Sequence, residues 1–179
     1  LGFYAHAFNI DTLMNRYKYE AMYRTLVSDL SDLSVYAMDT SVKALGVEQM
    51  YSPHQIPWTI AGTIDLLKDI NHMSNSPFYT TIGVGHQAGQ ARFKKPDEDL
   101  LRKVLADYEN HGEITSVWLG HSTIPELMRS GSGKPVWKKN EIIKKIISIN
   151  EDHSYLFSDE KDADPYSWLG KLGCYSPIV

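Results

Sequence analysis

The sequence predicts an α/β fold, with a mixed α+β arrangement as the open alternative, built as a single layered domain over residues 1–179. Three observations predict it. Apolar residues keep helical spacing through a helix-rich first half, short aromatic or β-branched runs alternate with helical patterns from about residue 78, and glycines or prolines punctuate the joins. With 179 residues, 42% of them hydrophobic and 22% charged, the chain is long enough to bury a core and too apolar for general disorder.

Residues 2–8 read as an aromatic-rich strand, and Asp11 as the N-cap of a helix. From Thr12, the positions Leu13, Met14, Tyr17, Ala21, Met22, Leu26, Leu30 and Leu33 repeat with helical period, as one long helix or two joined near Lys18. Val35, Met38, Val42 and Leu45 extend the pattern, with Gly46 as its expected stop. Residues 51–58 carry two prolines and two aromatics and read as an ordered loop. Pro57 is expected to open a helix through about Asn71, with Ile60, Ile64, Leu67 and Ile70 inward. Residues 78–84 form the next strand, followed by a loop of small residues through Gln90.

Beyond Pro96, the acidic residues Asp97, Glu98 and Asp99 suit a helix N-terminus, and Leu100, Leu101, Val104, Leu105 and Tyr108 fill one face. Residues 114–119 read as a strand, Ser122 as a helix cap, and residues 136–137 as a brief pairing segment. Asn140 caps a helix with Ile142, Ile143, Ile146 and Ile147 inward. Residues 154–157 read as a last strand, the acidic run from Asp159 to Asp164 as a surface loop, and Tyr166, Trp168, Leu169 and Tyr175 as packing back onto the body.

The net charge of −4 is uneven. Residues 1–91 hold five basic and eight acidic groups, residues 92–150 eleven and eight, and residues 151–179 two and six. The basic excess of the middle is too small for a typical nucleic-acid binder, although Arg92, Lys94, Lys95, Lys138 and Lys139 would have to carry such a role. No apolar run approaches about 18 residues, so no membrane span is expected. The opening residues lack a basic n-region and a cleavage pattern, which predicts no signal peptide. Cys174 is the single cysteine, a small packing residue by its setting, and its solitude fits a reducing, cytoplasmic compartment.

The best chemical clue is a pair of similar stretches, Thr80-Thr81-Ile82-Gly83-Val84-Gly85-His86-Gln87 and Thr115-Ser116-Val117-Trp118-Leu119-Gly120-His121-Ser122. Each places a histidine just past a predicted strand, where loops carry polar chemistry on a rigid frame. His86, His121 and Ser122 are therefore the candidate catalytic residues, the histidines as acid or base and the serine as hydroxyl nucleophile, acting on an anionic ligand in a small hydrolase or transferase. Ser122 also explains itself as a cap, with no nucleophile elbow around it. The spacing G-x-G-x-x-x-G through Gly83, Gly85 and Gly89 fails the dinucleotide fingerprint, and a turn with positive φ explains it better. No cofactor is expected. The seven histidines His6, His54, His72, His86, His111, His121 and His153 form no ligand-spaced pair, and the acidic run lacks the glycine and distal glutamate of a calcium loop, so no metal site is expected.

Tyrosine and tryptophan are abundant, and both supply interface anchors. Trp58, Tyr166 and Trp168 lie in loop-like segments. Together with Asp159, Glu160, Asp162 and Asp164 they define a candidate acidic and aromatic surface for a basic protein partner. The opening Gly2-Phe3-Tyr4-Ala5 through Asn9-Ile10-Asp11-Thr12-Leu13 resembles the openings of small uncharacterised bacterial proteins, some of them immunity-like. That resemblance covers these opening residues alone, transfers no site residue, and implies a soluble module that neutralises a toxin or inhibits an enzyme. The sequence thus favours a protein-interaction module over the small enzyme, and leaves oligomeric state open.

Overall fold

Two consecutive β-α-β crossovers build the sheet that organises this molecule. The computed structural model describes residues 2–3, 6–13, 15–74, 77–93 and 153–176. Strand β1 (Gly2–Phe3) leads through β2 (His6–Ala7), α1 (Ile10–Leu13) and α2 (Arg16–Met38) to β3 (Leu45–Glu48). The chain continues through β4 (Gln55–Ile56) and α3 (Ile60–Met73) to β5 (Phe78–Thr81), then the short α4 (Gln87–Gln90). Near the C-terminus lies α5 (Pro165–Leu172). β1, β3 and β5 form a parallel sheet in that order, with Gly2 opposite Gly46, and Leu45, Val47 and Glu48 opposite Phe78, Thr80 and Thr81. β2 and β4 pair antiparallel as a separate ribbon. The fold is mixed α/β, and strand-helix alternation already runs through the first ninety residues.

The chain divides into two compact units, one of Leu1–Gln90 with Glu160–Val179 and one of Ala91–Asp159. In the second unit, the described residues form 3-10 turns at Ala91–Phe93 and Ser154–Leu156, and the Ser158 amide donates to the Phe93 carbonyl at 2.8 Å. Residues 154–157, expected as a strand, are thus a turn. The helices, strands and caps expected between residues 94 and 152 lie outside the described residues.

In the first unit, period-two burial sorts the sheet residues. Leu45, Val47, Phe78 and Thr80 are buried on one face, while Gly46, Glu48, Tyr79 and Thr81 are half-buried on the other. α3 packs on β5 and α2 packs on α3; α3 buries Leu66, Leu67 and Ile70, and α2 buries Leu26, Val27, Leu30 and Ala37. Each of the leucine, isoleucine and valine side chains contributes roughly 1.5–3 kcal/mol on leaving water. The Asn71 side chain brackets the start of β5, accepting from the Phe78 amide at 2.8 Å and donating to its carbonyl at 3.1 Å.

Several boundaries differ from expectation for local reasons. Asn9 and Asn15, not Asp11, supply the caps: Asn9 accepts from the Thr12 amide at 2.8 Å and Asn15 from the Lys18 amide at 3.1 Å. α2 ends at Met38, and Gly46 is no helix stop but the centre of β3, paired on both sides. α3 opens at Thr59 rather than Pro57, because the Thr59 hydroxyl accepts the Gly62 amide at 3.0 Å while the Pro57 carbonyl is occupied by the Met50 amide.

Tyr19 and Tyr23 line the start of α2. The Tyr19 ring meets Phe8 edge-on at 5.2 Å, and burial pushes its hydroxyl up to about 12. Tyr23 donates to Asp69 on α3 at 2.8 Å, and burial first, then the Asp69 carboxylate, raises its pKa. An unfolded tyrosine releases its proton near 10. Stability held by the protonated Tyr19 is therefore complete below about pH 10 and drains away as pH rises through about 12. Denaturant titrations across this window should show a shallower loss in Tyr19→Phe than in wild type.

Candidate active site

The segments leaving β3 and β5 emerge at the same end of the parallel sheet, its C-terminal edge, where open α/β sheets bind ligands. One rung past β3, the Gln49 amide still donates to the Thr81 carbonyl at 2.9 Å, and the Met50 amide, which shares a peptide plane with the Gln49 carbonyl, donates to the Pro57 carbonyl at 2.8 Å, so the direction of the Gln49 carbonyl is fixed. That carbonyl meets Nδ1 of His86 at 2.5 Å. A carbonyl only accepts, so Nδ1 carries the proton and the neutral ring keeps its lone pair on Nε2. His86 is half-buried, and its backbone is held by the turn, with its amide on the Gly83 carbonyl at 2.8 Å and its carbonyl taking the Gly89 amide at 2.9 Å.

The glycines of this turn serve side-chain room. A Cβ on Gly83 would stand 2.8 Å from His86 Nδ1 and 3.1 Å from Cε1, so the imidazole lies where any other residue's side chain would begin. A Cβ on Gly89 would stand 3.0 Å from Cδ2 of Tyr51. Neither these two nor Gly85 has φ in the left-handed region, which corrects the positive-φ explanation of the motif. Gly85 faces open space.

Behind His86 lies a layer of buried amides. Gln49, Gln87 and Gln90 are all essentially inaccessible to solvent. The Gln49 and Gln87 carboxamides meet at 2.9 Å, Gln49 also donates to the Met50 carbonyl, and Gln90 donates to the Met50 carbonyl at 3.1 Å and to the Trp58 carbonyl. Buried amides that donate to main-chain carbonyls in this way tie down the backbone they reach. The four residues of α4 are thereby tied to the segments flanking β4. Glu48 and Thr81 close the last rung of the β3–β5 ladder on the half-buried face, and His54 is fixed like His86, its Nδ1 lying 2.8 Å from the Phe8 carbonyl. Among the described residues, no group of three or more histidine, cysteine, aspartate or glutamate side chains is placed to hold a metal.

No protein-family model matches the chain, and no curated protein does. Among solved structures, a chain described as a "Putative Xylose isomerase" from Rhodospirillum rubrum ATCC 11170 is similar, with 20% identity and a TM-score of 0.49. The match covers 51% of this chain and 31% of that one, and no residue role is carried across from it.

Of the sequence-predicted catalytic residues, His86 occupies the sheet edge as expected, whereas His121 and Ser122 lie outside the described residues. The predicted partner surface is corrected. Trp58 and Trp168 are 3% and 0% exposed, and the Trp168 indole donates to the Asp162 carbonyl at 2.7 Å. Asp162 is itself buried, its carboxylate accepting the Ile60 amide at 2.7 Å at the start of α3. Asp164 caps α5: the Ser167 hydroxyl first, against an opposing cost of desolvation, and then the amides of Tyr166 and Ser167 hold its carboxyl below the ordinary value. Asp159 and Glu160 are exposed; of Tyr166, Trp168, Leu169 and Tyr175, which were expected to pack inward, Trp168 does so and the other three are exposed. Gln49, Tyr51, Gln87 and Gln90 were missed as site residues; Gln87 and Gln90, which follow His86 closely in the sequence, were the signal available, whereas Gln49 lies 37 positions earlier.

No helix among the described residues is long and apolar enough to cross a membrane. Cys174 is exposed, not a packing residue, because it sits in a terminal 3-10 turn.

Proposed function

We propose that the chain is a small-ligand enzyme that works at the C-terminal edge of its sheet, with His86 as the proton-transfer group acting through Nε2. The observation that supports this is the His86 mounting: Nδ1 committed to the Gln49 carbonyl, and the ring seated on Gly83. A histidine so fixed has one tautomer and one direction for its lone pair, the requirements for general-base action. Hydrolysis or group transfer fits, since either needs a base to activate a hydroxyl or water. To test it, pooled polar metabolites, anionic ones included, are incubated with purified protein and turnover is followed by NMR. Wild type is expected to convert at least one compound and folded His86→Gln to leave it intact. Equal conversion by both would end the assignment.

A partner-binding role, as an immunity or inhibitor module for a basic protein, is the second reading. Its remaining support in the first unit is exposed Glu160 and a Tyr166 side chain 82% exposed near the start of α5. Glu160→Lys combined with Tyr166→Ala should then weaken a basic partner and flatten the salt dependence of its association. Binding curves that superimpose on wild type would remove this surface. A cytoplasmic location accompanies either reading, supported by the single cysteine.

A further inference from the structure

We propose that Tyr51 is a positioning residue for His86, with Gly89 as the notch that seats it. The inference rests on the reading of His86 as the proton-transfer group and adds what sets the ring's direction. Tyr51 is 44% exposed, so replacing it removes little buried surface and its contacts with neighbouring groups can be tested separately from the core. Its ring centroid lies 5.7 Å from that of His86, tilted by 50°. The same side chain lies against Gly89, where a Cβ would come within 3.0 Å of Cδ2 and 3.1 Å of the Tyr51 Cβ.

The imidazole therefore has three constraints. Gly83 gives it a floor, the Gln49 carbonyl holds Nδ1, and the Tyr51 ring stands beside it at 5.7 Å between centroids. The first two fix the ring only in the rotamer that brings Nδ1 to Gln49. Tyr51 narrows the choice of rotamer, and Gly89 allows Tyr51 to stand close enough to do so. This accounts for a glycine three residues after the histidine as well as one three residues before it. Both contacts use the Tyr51 ring and neither uses its hydroxyl.

The test reads the ring directly, without any ligand. Long-range proton–nitrogen NMR spectra of isotope-labelled protein, taken where the imidazole is neutral, show which nitrogen bears the proton. Wild type and Tyr51→Phe should show His86 almost wholly as the Nδ1–H tautomer. In Tyr51→Ala and in Gly89→Ala the Nε2–H form should rise by about two- to tenfold, the population change that accompanies release of one rotamer constraint. His54, whose Nδ1 is held by the Phe8 carbonyl, is the internal control and should not move. An unchanged His86 tautomer in folded Tyr51→Ala overturns the proposal, as does a shift of His54 in step with His86. Because Tyr51 is partly exposed, Tyr51→Ala is expected to fold even if Gly89→Ala does not. A tautomer shift in a protein that turns nothing over would leave the positioning role standing and defeat the enzymatic reading.

Discussion

Trp168→Ala is expected to lower stability by about 3–5 kcal/mol, the cost of emptying a fully buried tryptophan site. The side chain is 0% exposed on α5, which packs against α3. The loss exceeds cavity formation alone, because the Asp162 carbonyl loses the indole N–H that it accepts at 2.7 Å. Asp162 works at both ends: its carbonyl holds Trp168 and its carboxylate caps the start of α3. Removing the indole thus loosens the residue that joins the C-terminal segment to a helix about a hundred positions earlier in the chain. Trp168→Phe fills most of the volume without the hydrogen bond, and should cost about 1–2 kcal/mol. Guanidinium titrations followed by circular dichroism would decide. A loss below about 1 kcal/mol for Trp168→Ala would show that the indole is dispensable to this packing.

That staple also shows where sequence reading stops. Asp164-Pro165 is a cap followed by proline at the first helical position, and Trp168 and Leu172 sit four apart on one face, so the signals for α5 are local, although no helix was expected there. The acidic composition of the stretch hid it, since acidic runs are usually solvated. The bond from Asp162 to Ile60 was never legible, because it spans 102 positions and depends on the finished fold. β3 was lost for a different reason. Leu45-Gly46-Val47-Glu48 offers only two inward residues, and Val42 and Leu45 continue the preceding helical period. Its identity comes from pairing with β1 on one side and β5 on the other, a tertiary decision that overrides weak local preference.

The site divides along the same line. His86 was visible as a histidine past a strand, and the strand expected over residues 78–84 formed over Phe78–Thr81, three residues shorter. Its closest polar partner, the Gln49 carbonyl, was invisible because it is a backbone group following a strand that the pattern did not reveal. The glycines stood out for the wrong property. Gly83 and Gly89 matter for the absent Cβ, an effect that depends on what approaches from elsewhere, and backbone flexibility plays no part in it.

His86→Gln should reduce turnover of the cognate ligand by about 10²–10⁴-fold, the usual contribution of a positioned general base. Stability should change little, since the ring is half-buried and the peptide that carries the Gln49 carbonyl stays anchored by the Met50 amide on the Pro57 carbonyl. That separation matters, because a histidine hydrogen-bonded to a backbone carbonyl is also a common structural element. Two further variants tell the roles apart. His86→Ala leaves an imidazole-sized space beside Gly83, and added imidazole should restore part of the lost rate if proton transfer is what was removed. Gly83→Ala keeps the histidine and drives a methyl group into Nδ1 and Cε1, where 2.8 and 3.1 Å leave no room. A ring displaced in this way retains its chemistry but loses its aim, and misplacement of about 1 Å costs as much as about 10²-fold in rate. A purely structural His86 predicts the reverse order: Gly83→Ala and His86→Ala would lower Tm together, imidazole would rescue nothing, and turnover per folded molecule would stay at the wild-type value.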